Sequence, residues 1–127
     1  MGVKNFSKFF YIYTILLILL AVLPINTNSN SINHTYVVHI RMDYLIHFAI
    51  YIPWMFLLQR MTGADFKTNV KQVMLLILAG LVFGMANEAV QYFLPYRSFN
   101  INDLLANGLG VLMGAVAFWL PSLRGTL

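Results

Sequence analysis

Four stretches of the chain are almost continuously apolar, and polar residues, proline or glycine close each one. The first runs from Phe9 to Leu23 with Phe6, Tyr11 and Tyr13 as aromatic flanks and Pro24 behind it, which predicts a span over about 6–24. That length approaches the roughly 20 residues a spanning helix needs. Asp43 opens a second run over about 43–61, which contains Pro53 and ends at Arg60, and Thr62-Gly63-Ala64-Asp65 follows as a turn. Proline within a membrane helix is tolerated as a kink. The third run covers about 72–94 and the fourth about 102–120, joined by Pro95-Tyr96-Arg97 and stopped by Pro121. The pattern predicts an all-α fold, a four-helix transmembrane bundle.

Residues 25–42 break the pattern, with Asn26, Asn28, Ser29, Asn30, Ser31 and Asn33, and read as a loop outside the bilayer. Asn33-His34-Thr35 has the form of a glycosylation acceptor, a short match that occurs often by chance. The basic start and short apolar core of the first run also fit a signal peptide. Ala21-Val-Leu-Pro, just before the loop, lacks two small residues at cleavage spacing, so a retained helix is the preferred reading.

Composition turns this pattern into a statement about solvent. The 127 residues, enough for a single domain, are 60% hydrophobic and 9% charged. A soluble domain carries roughly 25% charged residues. A chain so poor in charge cannot cover a water-facing surface, so membrane lipids are its expected surroundings. The net charge of +4 does not indicate a nucleic-acid partner, because the basic residues lie singly near the ends of apolar runs and form no stripe. Their distribution instead predicts orientation. With the N-terminus inside, six basic residues (Lys4, Lys8, Arg60, Lys67, Lys71, Arg124) fall on inner segments and two (Arg41, Arg97) on outer ones. Under the positive-inside rule, both termini are cytoplasmic.

That orientation gathers the polar residues of the apolar runs at the outer face. Asp43, His47 and Tyr51 recur every four residues along one helix face, Glu88 and Gln91 share a face, and so do Asp103 and Asn107. Polar groups in hydrocarbon are costly unless paired, so these faces should turn toward one another. Arg97 is the cation placed to balance Glu88, Asp103 or Asp43, and its fork suits a carboxylate or phosphate held by two bonds. Plainer roles compete. Asp43 and Asp103 can complement or cap helix N-termini. Asn107 can make an interhelical hydrogen bond, and His47 can be a satisfied bundle histidine. Glu88, well inside the third run, is the hardest to explain by packing.

Gly80-xxx-Gly84 and Gly110-xxx-Gly114 form small-residue faces that let helices approach closely. They are expected to bring the third and fourth spans together; a homo-oligomer is compatible with them. Tyr92, Phe93, Tyr96 and Phe99 read as an aromatic belt at the outer interface. The candidate chemistry is sparse. Cysteine is absent, which excludes disulfides, thiolate nucleophiles and Cys-based metal sites. His47, Glu88, Asp43 and Asp103 are residue types that could bind a metal, but no close-set H-E-x-x-H pair occurs, so neither metal nor cofactor is expected, and no serine sits in a nucleophile elbow. Glu88 and His47 remain candidates for acid–base work.

Asp43-x3-His47-x3-Tyr51, Gly84-x3-Glu88-x2-Gln91-x-Phe93-x-Pro95-x-Arg97 and Asp103-x3-Asn107-x2-Gly110-x3-Gly114 together resemble the VanZ-like family of small bacterial membrane proteins, over about residues 42–120. Tyr44 departs from the pattern, since the family often has Lys after the Asp. The resemblance implies a multi-pass protein of the bacterial cytoplasmic membrane. It also implies a role in the cell envelope, where one member gives low-level resistance to the glycopeptide teicoplanin. It names a process without supplying a reaction. The expectation is a non-catalytic protein that engages an amphiphilic or lipid-linked ligand, such as a wall precursor or a glycopeptide, through the outward polar cluster. The alternative is an intramembrane hydrolase or transferase with Glu88 and His47 as its acid–base pair.

Overall fold

The computed structural model describes residues 3–24, 36–37, 40–65 and 69–124. They form four helices, α1 (Val3–Val22), α2 (Met42–Thr62), α3 (Val70–Tyr92) and α4 (Ile101–Arg124), with two short strands, β1 (Tyr36–Val37) and β2 (Ile40–Arg41), ahead of α2. The strands pair antiparallel, Tyr36 with Arg41 and Val37 with Ile40. The loop expected over 25–42 thus ends in a strand pair; all four of its asparagines and the Asn33-His34-Thr35 pattern lie outside the described residues.

Local chemistry explains the helix ends. α2 stops at Gly63, whose φ of 65° is the left-handed conformation that glycine adopts without Cβ strain. α3 starts behind Asn69, whose side chain accepts from the Gln72 N–H at 3.1 Å. α4 starts behind Asn100, whose side-chain oxygen accepts from the Asn102 N–H at 3.0 Å and whose carbonyl accepts from Leu104 at 3.2 Å. The capping expected of Asp103 therefore falls to Asn100, and Asp103 sits one turn further in. Pro121 does not stop α4, which runs on to Arg124. Proline removes one backbone donor, but its φ is helical, so a final turn can continue past it.

α2 is the central helix and packs most extensively on α4, then on α1. Its Tyr51, Trp54, Met55 and Leu58 are buried against Phe10 and Leu17 of α1 and Val111 and Ala115 of α4. Trp54 stacks on Phe83 with ring centroids 4.8 Å apart and donates its indole N–H to Thr14 at 3.0 Å. Tyr13 donates to the Ile50 carbonyl at 2.9 Å. α1 is thus built into the core.

The glycine faces have a different division of labour from the one expected. Gly80 and Gly84 of α3 do face α4, where a Cβ would lie 2.8 Å from Val111 and 3.3 Å from Asn107 respectively. Gly110 and Gly114 instead press on α2. A Cβ on Gly110 would collide with the Phe48 carbonyl, and one on Gly114 would lie 2.8 Å from Met55. Small residues permit close approach without naming the partner helix, so the sequence could not distinguish α2 from α3.

The outside of the bundle is apolar. Ile12, Ile15 and Leu19 of α1, Met74, Leu78 and Val82 of α3, and Leu105, Leu109 and Leu112 of α4 are all exposed. An apolar surface this extensive suits hydrocarbon rather than water. Two stretches, Asn5–Val22 and Val70–Tyr92, are long and apolar enough to cross a membrane, and Ile101–Ala117 is a shorter apolar helix.

Candidate functional site

α1 and α3 finish at the end of the bundle where α2 and α4 begin, and a cavity of about 170 Å³ lies there. The sequence singled out eight polar residues: Asp43, His47, Tyr51, Glu88, Gln91, Arg97, Asp103 and Asn107. All of them line this cavity. Helical period explains the convergence. Asp43, His47 and Tyr51 occupy three successive turns of one α2 face, and α3 and α4 supply the opposing walls.

The hydrogen bonds are specific. His47 Nδ1 lies 2.9 Å from Oδ1 of Asn107. An amide oxygen can only accept, so Nδ1 donates, and Nε2 is turned toward Asp103 Oδ2 at 4.0 Å. Tyr51, only 1% exposed, accepts at its hydroxyl from the Asn87 amide at 2.9 Å. Glu88 is fully buried, and its Oε1 accepts the Asn100 backbone N–H at 2.9 Å. Its Oε2 has no partner among the described residues, and neither do the buried Asp103 Oδ1 and Arg97 Nε.

Arg97 does not balance a carboxylate through a direct ion pair. Its Nη2 donates to the carbonyls of Leu20 at 3.2 Å and Leu23 at 2.7 Å, and Tyr96 donates to the Val22 carbonyl at 2.7 Å. These donors satisfy carbonyls at the end of α1, which have no partner in the helix itself, and a cation there also complements the helix dipole. The partner of Asp43 is Arg41, which holds both carboxylate oxygens, at 2.6 and 3.2 Å.

Arg41 also donates to the Tyr44 hydroxyl at 2.9 Å, and its guanidinium carbon lies 4.6 Å from that ring centre. The position next to Asp43 lacks a lysine, but a neighbouring residue brings a cation to it. Partial burial works against the Arg41 charge, yet the hydrogen bond to Asp43 and its negative charge outweigh this and hold the Arg41 pKa above its ordinary value.

Sequence reasoning missed Arg41, Tyr44, Asn87 and Asn100. Residues two apart on a helix do not meet, so spacing gave no reason to join Arg41 to Asp43. Arg41 reaches back because its backbone is extended, with φ −63° and ψ 137°. Asn87 carried a usable signal, as a polar residue beside Glu88 inside an apolar run. No described hydrogen bond joins Glu88 to His47; the carboxylate facing that imidazole belongs to Asp103. Among the described residues no group of three or more His, Asp or Glu is set to hold a metal ion.

The chain matches no curated protein and no solved structure. Residues 10–122 match the VanZ/LLP1 family, a stretch that takes in most of α1, all of α2 and α3, nearly all of α4 and every residue of the cavity wall. With its apolar exterior and polar end, this chain therefore belongs to the VanZ-like family of membrane proteins.

Proposed function

We propose that this chain is a four-span envelope protein of the cytoplasmic membrane that holds the polar group of an amphiphile without transforming it. The observation that carries this reading is the cavity itself. It is lined by three carboxylates, two guanidinium groups and an oriented imidazole, and three of its buried polar atoms have no partner among the described residues. Unpartnered polar atoms of that kind are stabilised when a ligand supplies the missing bonds. The bias of basic residues supports a chain with both termini in the cytoplasm and the cavity at the outer face, where glycopeptides and lipid-linked wall precursors are met.

The test is glycopeptide and lipoglycopeptide susceptibility of a sensitive bacterium expressing the wild type, Glu88→Gln or Arg97→Ala at matched membrane levels. Protection by the wild type that both variants lose supports the proposal. Protection by both variants at wild-type strength would overturn it.

A second reading, hydrolysis or transfer on a lipid-linked substrate, draws on the way Asn107 orients His47 beside Asp103. An oriented imidazole facing a carboxylate is an arrangement that general acid–base chemistry uses. Release of phosphate from a lipid phosphate by the purified chain, lost in His47→Gln, would establish this reading and displace the first.

A further inference from the structure

The missing bonds define the ligand more closely than "amphiphile". Glu88 Oε2 and Asp103 Oδ1 are buried acceptors that need donors, whereas Arg97 Nε is a buried donor that needs an acceptor. All three atoms belong to residues lining the one cavity. The charges are also unequal. Arg41 holds both oxygens of Asp43, which leaves two further carboxylates, Glu88 and Asp103, on a wall whose other cationic side chain is Arg97, with the His47 ring beside Asp103. A purely anionic group would satisfy Arg97 but repel the two carboxylates, and a purely cationic group would leave Arg97 Nε unpaired.

From this juxtaposition we infer that the cavity takes a primary ammonium next to an anionic oxygen, the chemistry of a phosphoethanolamine headgroup. The inference rests on the ligand-holding reading above. A primary ammonium brings three donors to Glu88 and Asp103, which a quaternary ammonium cannot do. The phosphate oxygen takes the Arg97 N–H, as guanidinium groups favour. The apolar part of the wall indicates that the headgroup arrives on a lipid. Leu17, Leu20, Ile46 and Ile50 line the cavity on the α1–α2 side. Of these, Leu20 and Ile46 are also exposed on the bundle surface, at 44% and 39%. Acyl chains can therefore lie along that side while the headgroup enters the polar end.

The experiment is native mass spectrometry of the full chain, released from phosphatidylcholine bilayers that contain equal amounts of phosphatidylethanolamine and phosphatidylglycerol. A second arm adds free phosphoethanolamine. One phosphatidylethanolamine per chain is expected to be retained, about tenfold over either competitor, the factor that one charge-assisted hydrogen bond contributes. Glu88→Gln and Asp103→Asn should each lower that retention about tenfold. Thermal unfolding of both variants is recorded in parallel to show that they remain folded.

Equal retention of phosphatidylcholine, or unchanged retention in both variants, overturns the inference. Glu88-dependent retention of phosphatidylglycerol overturns the headgroup assignment and leaves the ligand-holding reading standing. Absence of any Glu88-dependent binding removes both. Complete displacement of lipid by free phosphoethanolamine supports the ammonium–anion chemistry and assigns it to a soluble source.

Discussion

One oxygen of the Glu88 carboxylate accepts the backbone N–H of Asn100 at 2.9 Å, while the other is buried without a partner. The residue is therefore both a tie between the end of α3 and the start of α4 and a group left open to the cavity. The two roles separate by substitution. Glu88→Gln keeps an oxygen for Asn100, so thermal unfolding in detergent should stay within about 1 kcal/mol of wild type. Glu88→Ala leaves that N–H unpaired and should destabilise the chain by about 1–3 kcal/mol. Glycopeptide protection, where the wild type provides it, should be lost in both.

The Arg41–Asp43 pair offers a cleaner test of coupling. Asp43 is only 5% exposed, so removing its partner leaves a carboxylate with little water. Arg41→Gln alone should cost about 1–3 kcal/mol, and Arg41→Gln with Asp43→Asn should recover much of that loss. A double-mutant cycle measured by chemical unfolding reads the coupling directly; simple additivity would mean that the pair stabilises nothing.

Gly110 should be the least replaceable of the four packing glycines. A Cβ there meets the backbone carbonyl of Phe48, which cannot rotate away, whereas one on Gly84 lies 3.3 Å from the nearest atom, the Asn107 Cβ. Gly110→Ala is expected to destabilise by about 1–3 kcal/mol, the ordinary penalty of overpacking, and Gly84→Ala by less. The yield of folded protein in detergent and its unfolding temperature check the ranking.

The orientation proposed for the chain is directly measurable because it contains no cysteine. A single cysteine at the exposed Phe99, between α3 and α4, should react with a membrane-impermeant maleimide in intact cells. One at the exposed Gln72, at the start of α3, should react only after the cells are opened. The reverse pattern would move the cavity to the cytoplasmic side and remove the case for an envelope ligand.

Much of this molecule was legible along the chain. An apolar run must satisfy its own backbone, so the four helices were predictable from pattern alone, to within a few residues at their ends. Polar residues within such runs must turn away from hydrocarbon, which is why the eight residues read as one cluster all line one cavity. Those are properties of composition and period, and they survive any arrangement that buries the polar faces. Partners are a different matter. It took the tertiary structure to turn Gly110 toward α2 rather than α3, to give the α4 cap to Asn100, to give Asp43 to Arg41, and to put Arg97 on the carbonyls of α1. Each of these choices depends on which atoms come within about 3 Å of one another. Helical spacing along one element carries no information about that distance; packing between helices sets it for Gly110 and Arg97, and the local path of the chain into α2 and α4 sets it for Arg41 and Asn100.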